Sequence, residues 1–133
     1  MDYAGEALDL PGALPPVAID CAQMEQVFFN LLKNALEALR DGGSIDISLS
    51  SDDNDVITTV RDDGHGMSPE QVAHLFEPYR TSKEHGTGLG LMISARIVRD
   101  HGGTISVESE PEKGTAFTIR LPRIERRIRA LKG

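Results

Sequence analysis

Met24-Glu25-Gln26-Val27-Phe28-Phe29-Asn30-Leu31-Leu32-Lys33-Asn34-Ala35-Leu36-Glu37-Ala38-Leu39 is the stretch on which the fold turns. Within it Met24, Val27, Phe28, Leu31, Leu32, Ala35, Leu36 and Leu39 return at three- and four-residue steps. That is the period of a helix laying one broad apolar face on a core. Just upstream, Asp20 followed three positions later by Gln23 resembles a capping box and marks the helix start. Downstream, Asp41-Gly42-Gly43 offers glycine for a left-handed stop. Before Asp20, Pro11, Pro15 and Pro16 remove backbone donors and hold the chain extended, so only short edge strands are expected there.

Beyond the helix the period changes to two. Ser44 to Ser50 and Asp55 to Arg61 alternate across the polar turn Ser51-Asp52-Asp53-Asn54 and read as an antiparallel pair. Ser68-Pro69-Glu70 supplies an N-cap and a first-turn proline for a short helix over Gln71 to Leu75. The stretch from Phe76 to Gly90 is polar and glycine-rich without a period; Leu91 to Asp100 then reads as a second long helix, ended by Gly102-Gly103. Two more strands, Thr104 to Ser109 and Thr115 to Leu121, flank the turn Glu110 to Gly114. Strands and helices in this order predict an α+β fold, a two-layer α/β sandwich with helices on one face of a mixed sheet.

Composition narrows the function. With 133 residues the chain is long enough for one core, and a net charge of −7 disfavours a phosphate-backbone gripper, which needs clustered Lys and Arg. A lone Cys21 makes no intrachain disulfide, the first residues lack a signal-peptide pattern, and no apolar run is long enough to span a bilayer. A cytoplasmic setting with no nucleic acid and no direct membrane contact is expected.

Three stretches carry chemistry. Gln26, Asn30, Asn34 and Glu37 form a polar strip beside the apolar face. Asparagine costs several tenths of a kcal/mol, roughly, against Ala in a helix, so the pair is either a solvated face or a set of hard neutral oxygens for Mg²⁺ carried by phosphates. Asp62-Asp63-Gly64-His65-Gly66-Met67 places a carboxylate at a strand end before two glycines, which is either an ordinary turn or an acceptor for an exocyclic amine. Gly86-Thr87-Gly88-Leu89-Gly90-Leu91 opens a helix, where free N–H groups and the helix dipole suit a phosphate. It is neither a P-loop nor a dinucleotide-binding fingerprint.

Together and in this order these pieces resemble the GHKL ATPase superfamily, most closely the catalytic ATP-binding domain of sensor histidine kinases. Gln26 to Ala35 looks like the kinase N box, Asp62 to Met67 the first glycine box, Leu75-Phe76-Glu77-Pro78-Tyr79 the F box, and Gly86 to Leu91 the second glycine box. His101-Gly102-Gly103-Thr104-Ile105 and Gly114 to Pro122 are similar to the family's closing strands. The short Tyr79-Arg80-Thr81-Ser82-Lys83 segment resembles the nitrogen-regulation class. The resemblance covers about residues 17–122, leaving a basic tail over 123–133, and implies a Bergerat-type fold.

The resemblance also implies roles. Asn34 is the Mg²⁺ ligand, with Asn30 a turn earlier assisting; Asp62 accepts from the adenine amine; Gly64 and Gly66 shape the base pocket; Thr115 counts among the nucleotide-binding residues. Gly86, Thr87, Gly88, Leu89, Gly90 and Leu91 form the phosphate side, Lys83 and Arg80 neutralise phosphate charge, and Phe76 and Tyr79 anchor the loop. Where gyrase-, chaperone- and mismatch-repair-type members have a glutamate that activates water, this chain has Asn30, which favours phosphotransfer over hydrolysis. None of His65, His74, His85 and His101 is followed by Glu, so the phosphoacceptor histidine is expected on a separate dimerisation domain, with a response regulator downstream and this fragment monomeric. All four histidines read as incidental. A nucleotide-dependent protein-binding module, such as an anti-sigma-factor-type serine kinase, is the alternative.

Overall fold

The structure is a computed structural model that describes residues 15–77 and 89–124. The chain runs α1 (Cys21–Ala38), β1 (Ile45–Ser51), β2 (Asp55–Asp62), α2 (Pro69–Ala73), α3 (Gly90–Asp100), β3 (Thr104–Glu110) and β4 (Gly114–Pro122). The four strands form one sheet in the order β1-β2-β4-β3, and every neighbouring pair is antiparallel. The α+β sandwich is therefore as expected, while the mixed sheet becomes, among the described strands, a wholly antiparallel one. The reason is topological: after the helical crossover β3 runs parallel to β2, but β4 folds back into the gap between them.

Alternation decides which face is covered. Val56, Thr58, Val60 and Asp62 on β2 are buried, as are Phe117, Ile119 and Leu121 on β4. They meet Met24, Val27 and Leu31 of α1 and Ile97 and Val98 of α3 in one core, with Ile105 and Val107 of β3 packed against it. Burying side chains of this size stabilises by about 1.5–3 kcal/mol each. The covered stripe of α1 is narrower than the sequence period suggests: Leu36 is 63% exposed. Ile47 and Leu49 share the covered face but stay more than half and half exposed, at 57% and 50%, because β1 is the outermost strand while α1 lies over β2 and β4.

Caps differ in instructive ways. Asp20 accepts from Gln23 N at 3.0 Å, as read from the sequence, but its own N–H goes to His101 Nε2 at 3.0 Å rather than back to Gln23. With His101 Nδ1 donating to Ile97 O at 2.8 Å, the imidazole joins the end of α3 to the start of α1. His101 is thus buried and structural, a correction to its incidental reading. Helix α1 stops at Ala38, before the glycines, because Ala38 O accepts from His65 N at 3.1 Å; Gly42, at φ +80°, turns the chain toward β1. Helix α2 starts two residues earlier than expected and carries the complete reciprocal box between Ser68 and Gln71. Residues 16–17 and 123–124 meet beside the β1–β2 turn, where Val17 pairs with Arg123, Arg123 N donates to Asn54 O and Ile124 N donates to Pro16 O at 3.0 Å.

Candidate functional site

Strand β2 delivers Asp62 to the end of the sheet, opposite Thr115 on β4. Its side chain is buried; Oδ1 accepts from Gly64 N at 2.8 Å, and Oδ2 has no partner among the described residues. The loop that follows is clamped from both sides. His65 N bonds α1 through Ala38 O, and His65 O accepts from Glu112 N at 2.7 Å in the β3–β4 turn. Close approach forces the two glycines: a Cβ on Gly64 would lie 2.2 Å from Ala38 O, and one on Gly66, at φ +69°, 1.9 Å from Glu110 O.

Ser109 organises the other wall. Its hydroxyl donates to Gly114 O at 2.9 Å, a partner that can only accept, and its oxygen accepts from Met67 N at 2.9 Å. With that proton committed, the 2.8 Å contact to Thr115 Oγ1 has Thr115 as donor, which leaves the Thr115 oxygen as an acceptor. Asp62 Oδ2 and Thr115 Oγ1 thus present two acceptors from paired residues on β2 and β4. Such a pair suits a ligand edge carrying an amine.

On α1, Asn30 and Asn34 are half-buried. Asn30 Nδ2 donates to Gly90 O and to Ser94 Oγ, both at 3.1 Å. Asn34 Nδ2 donates back to Asn30 O at 3.0 Å. Carbonyl acceptors fix which end of each amide is the nitrogen, so Oδ1 of both side chains is left without a protein partner among the described residues. Two neutral oxygens one helical turn apart are hard donors that fit Mg²⁺. Among the described residues no group of three or more His, Cys, Asp or Glu could hold a metal ion.

Helix α1 is accordingly the spine of the site. Its Asn30 touches Gly90, where the second glycine run enters α3, and its Ala38 carries the loop after Asp62. Phe76 packs edge-on against Phe117, with ring centroids 6.5 Å apart and planes at 73°, and joins the core as the F-box reading expects. Leu91 also packs on the core. Tyr79, Arg80, Lys83, Gly86, Thr87 and Gly88 lie outside the described residues, as does the tail from residue 125. An open, acidic concavity of about 370 Å³ adjoins the wall that Ser109 organises: Asp62, Ser109 and Thr115 line it together with Asp46, Asp63, Glu108 and Glu110, against Arg61 and Lys113.

Sequence reasoning missed Ser94 and Ser109, each of which holds a site residue. Ser94 stands four residues after Gly90, on the inward face of α3, which is the one signal that could have picked it out.

Comparison with known proteins identifies the family to which this fold belongs. Residues 19–125 match the family described as histidine kinase-, DNA gyrase B- and HSP90-like ATPase. Sporulation kinase E of Bacillus subtilis (strain 168) is 47% identical over 116 residues, covering 86% of this chain and 16% of that protein. The chain thus spans about a sixth of that relative's length. Among solved structures, the nucleotide-free catalytic domain of histidine kinase ThkA aligns with a TM-score of 0.72 at 35% identity, covering 80% of this chain and 70% of that one. Full-length ShkA in complex with AMPPNP aligns with a TM-score of 0.74 at 30% identity over 83% of this chain and 23% of that one.

Proposed function

As the chain belongs to the histidine kinase-, DNA gyrase B- and HSP90-like ATPase family and is homologous to sensor histidine kinases, we propose that it binds Mg-ATP and presents the γ-phosphoryl group to a histidine. That histidine lies on a separate phosphoacceptor domain of the same kinase, and a response regulator receives the group in turn. In this reading Asp62 accepts from the adenine amine and Thr115 lies beside it. Asn34 and Asn30 offer their oxygens at the phosphate end, to the metal that balances phosphate charge. Gly90 and Leu91 enter α3 next to them, and Lys83, Arg80 and Tyr79 complete the phosphate side.

The observation that carries kinase over hydrolase is the chemistry of Asn30. An amide is no general base, and here its nitrogen is committed to Gly90 O and Ser94 Oγ. The chain therefore has no carboxylate at the position where hydrolysing relatives activate water. Catalysis rests on positioning and charge neutralisation, and the γ-phosphoryl is kept for an external nucleophile.

The test is calorimetric titration with ADP and a non-hydrolysable ATP analogue, with and without Mg²⁺ and with GTP as control, on wild type and Asn34→Ala. Adenine-selective binding that Mg²⁺ strengthens is expected, and in Asn34→Ala nucleotide still binds but the Mg²⁺ increment is lost. An increment that survives Asn34→Ala would remove the metal role, and equal affinity for GTP would remove the adenine assignment. A histidine-bearing phosphoacceptor domain supplied in trans should gain acid-labile phosphate from ATP.

A further inference from the structure

Asn30 can serve the phosphate end only if its amide is held one way round, and what holds it is on α3. The side-chain nitrogen has two protons; Gly90 O takes one at 3.1 Å and Ser94 Oγ the other at 3.1 Å. With both protons spent, turning the amide over would set its oxygen against the Gly90 carbonyl, two acceptors facing each other. Ser94 is itself fully buried, so its hydroxyl has no solvent to offer a substitute partner. Ser94 therefore joins the N-box helix to the helix that the second glycine run opens.

We propose that Ser94 is a positioning residue for the phosphate end of the site, acting through the Asn30 amide to keep its oxygen turned away from the Gly90 carbonyl and the start of α3 against α1. This rests on the Mg-ATP reading above. Serine at this position is not required by packing, since a fully buried core site on an amphipathic helix would more readily take an apolar side chain. Its hydroxyl is retained where it completes the hydrogen bonds of one functional amide.

Ser94→Ala and Ser94→Cys separate this role from a structural one, because both are small enough to fold and only the second keeps a weak acceptor. Two readouts are needed: the gain in affinity for a non-hydrolysable ATP analogue on adding Mg²⁺, and the Asn30 side-chain amide signals by NMR. In Ser94→Ala the Mg²⁺ gain is expected to fall about threefold to tenfold, the Asn30 amide signals to move and exchange faster, and affinity without Mg²⁺ to stay as in wild type. Ser94→Cys is expected to recover part of the gain. A lower melting temperature with the Mg²⁺ gain unchanged would show a structural role only and overturn the proposal, as would unmoved Asn30 signals. A wild type with no Mg²⁺ gain at all would instead remove the metal reading, and the Asn30 signals would then decide the clamp by themselves.

Discussion

Asp62→Asn is the sharpest probe of the base pocket, because the protein's own bond tells the new amide which way to lie. Asp62 Oδ1 accepts from Gly64 N at 2.8 Å, and that N–H can only donate. In the variant the amide oxygen must keep this bond, since the reverse orientation would face N–H with N–H. The new NH₂ group then stands where Oδ2 stood and meets the adenine amine donor to donor. Losing a hydrogen bond to a charged acceptor costs about 1.5–3 kcal/mol, and leaving the adenine amine unpaired adds to it. A net loss of about 2 kcal/mol corresponds to roughly 30-fold in affinity for ADP. Guanine, which presents a carbonyl where adenine has its amine, should be penalised less, so discrimination against GDP narrows. Calorimetry with ADP and GDP reads both effects, and thermal melting confirms the fold, which the retained Gly64 bond protects. Undiminished ADP affinity in Asp62→Asn would refute the pocket assignment, because no orientation of the amide avoids the clash.

Two further predictions concern the frame. Gly66→Ala is expected to destabilise by about 3–5 kcal/mol in urea titrations, since the added Cβ meets Glu110 O at 1.9 Å and the residue sits at φ +69°; a loss below about 1 kcal/mol would mean that the loop is not packed as described. Asp52 sets a pH dependence: backbone N–H groups of Asn54 and Asp55, helped by Arg120, hold its carboxyl below the ordinary 3.8. Its folded value being depressed, the contribution is present above the unfolded value and is lost as pH falls through the folded one. Urea midpoints of wild type should therefore drop more between pH 5 and pH 3 than those of Asp52→Asn, about in step with this one proton, and parallel curves would exclude the Asp52 contribution.

Much of the fold is legible because it is local. The three- and four-residue period of α1, the Ser68 cap and the turn at Asp52 each depend on neighbours within about four positions, and these features appear where the sequence puts them. The order of strands is not local. Nothing in Thr115 to Leu121 says that β4 enters between β2 and β3, yet this makes every pair antiparallel and sets Thr115 beside Asp62. For the same reason Leu36 keeps the helical period and still lies exposed, because the width of a covered stripe is set by what lies across from it.

The site divides along a related line. Asn30, Asn34, Gly64 and Gly66 stand out in the sequence because each is expensive where it sits: asparagine inside a helix, glycine in backbone that could otherwise be stiffer. Residue types that are costly locally are kept for something non-local, and here that is an amide bonded to α3 or a close backbone approach. No pattern announces Ser109, Ser94 shows only by its place four residues after Gly90, and His101 stands in a family-like run that does not reveal its role. Yet they hold the Asn30 amide, the Thr115 hydroxyl and the start of α1. The groups proposed to meet a ligand are thus the ones a sequence can betray, whereas the groups that hold them emerge only when α3 is laid against α1 and β3 against β4.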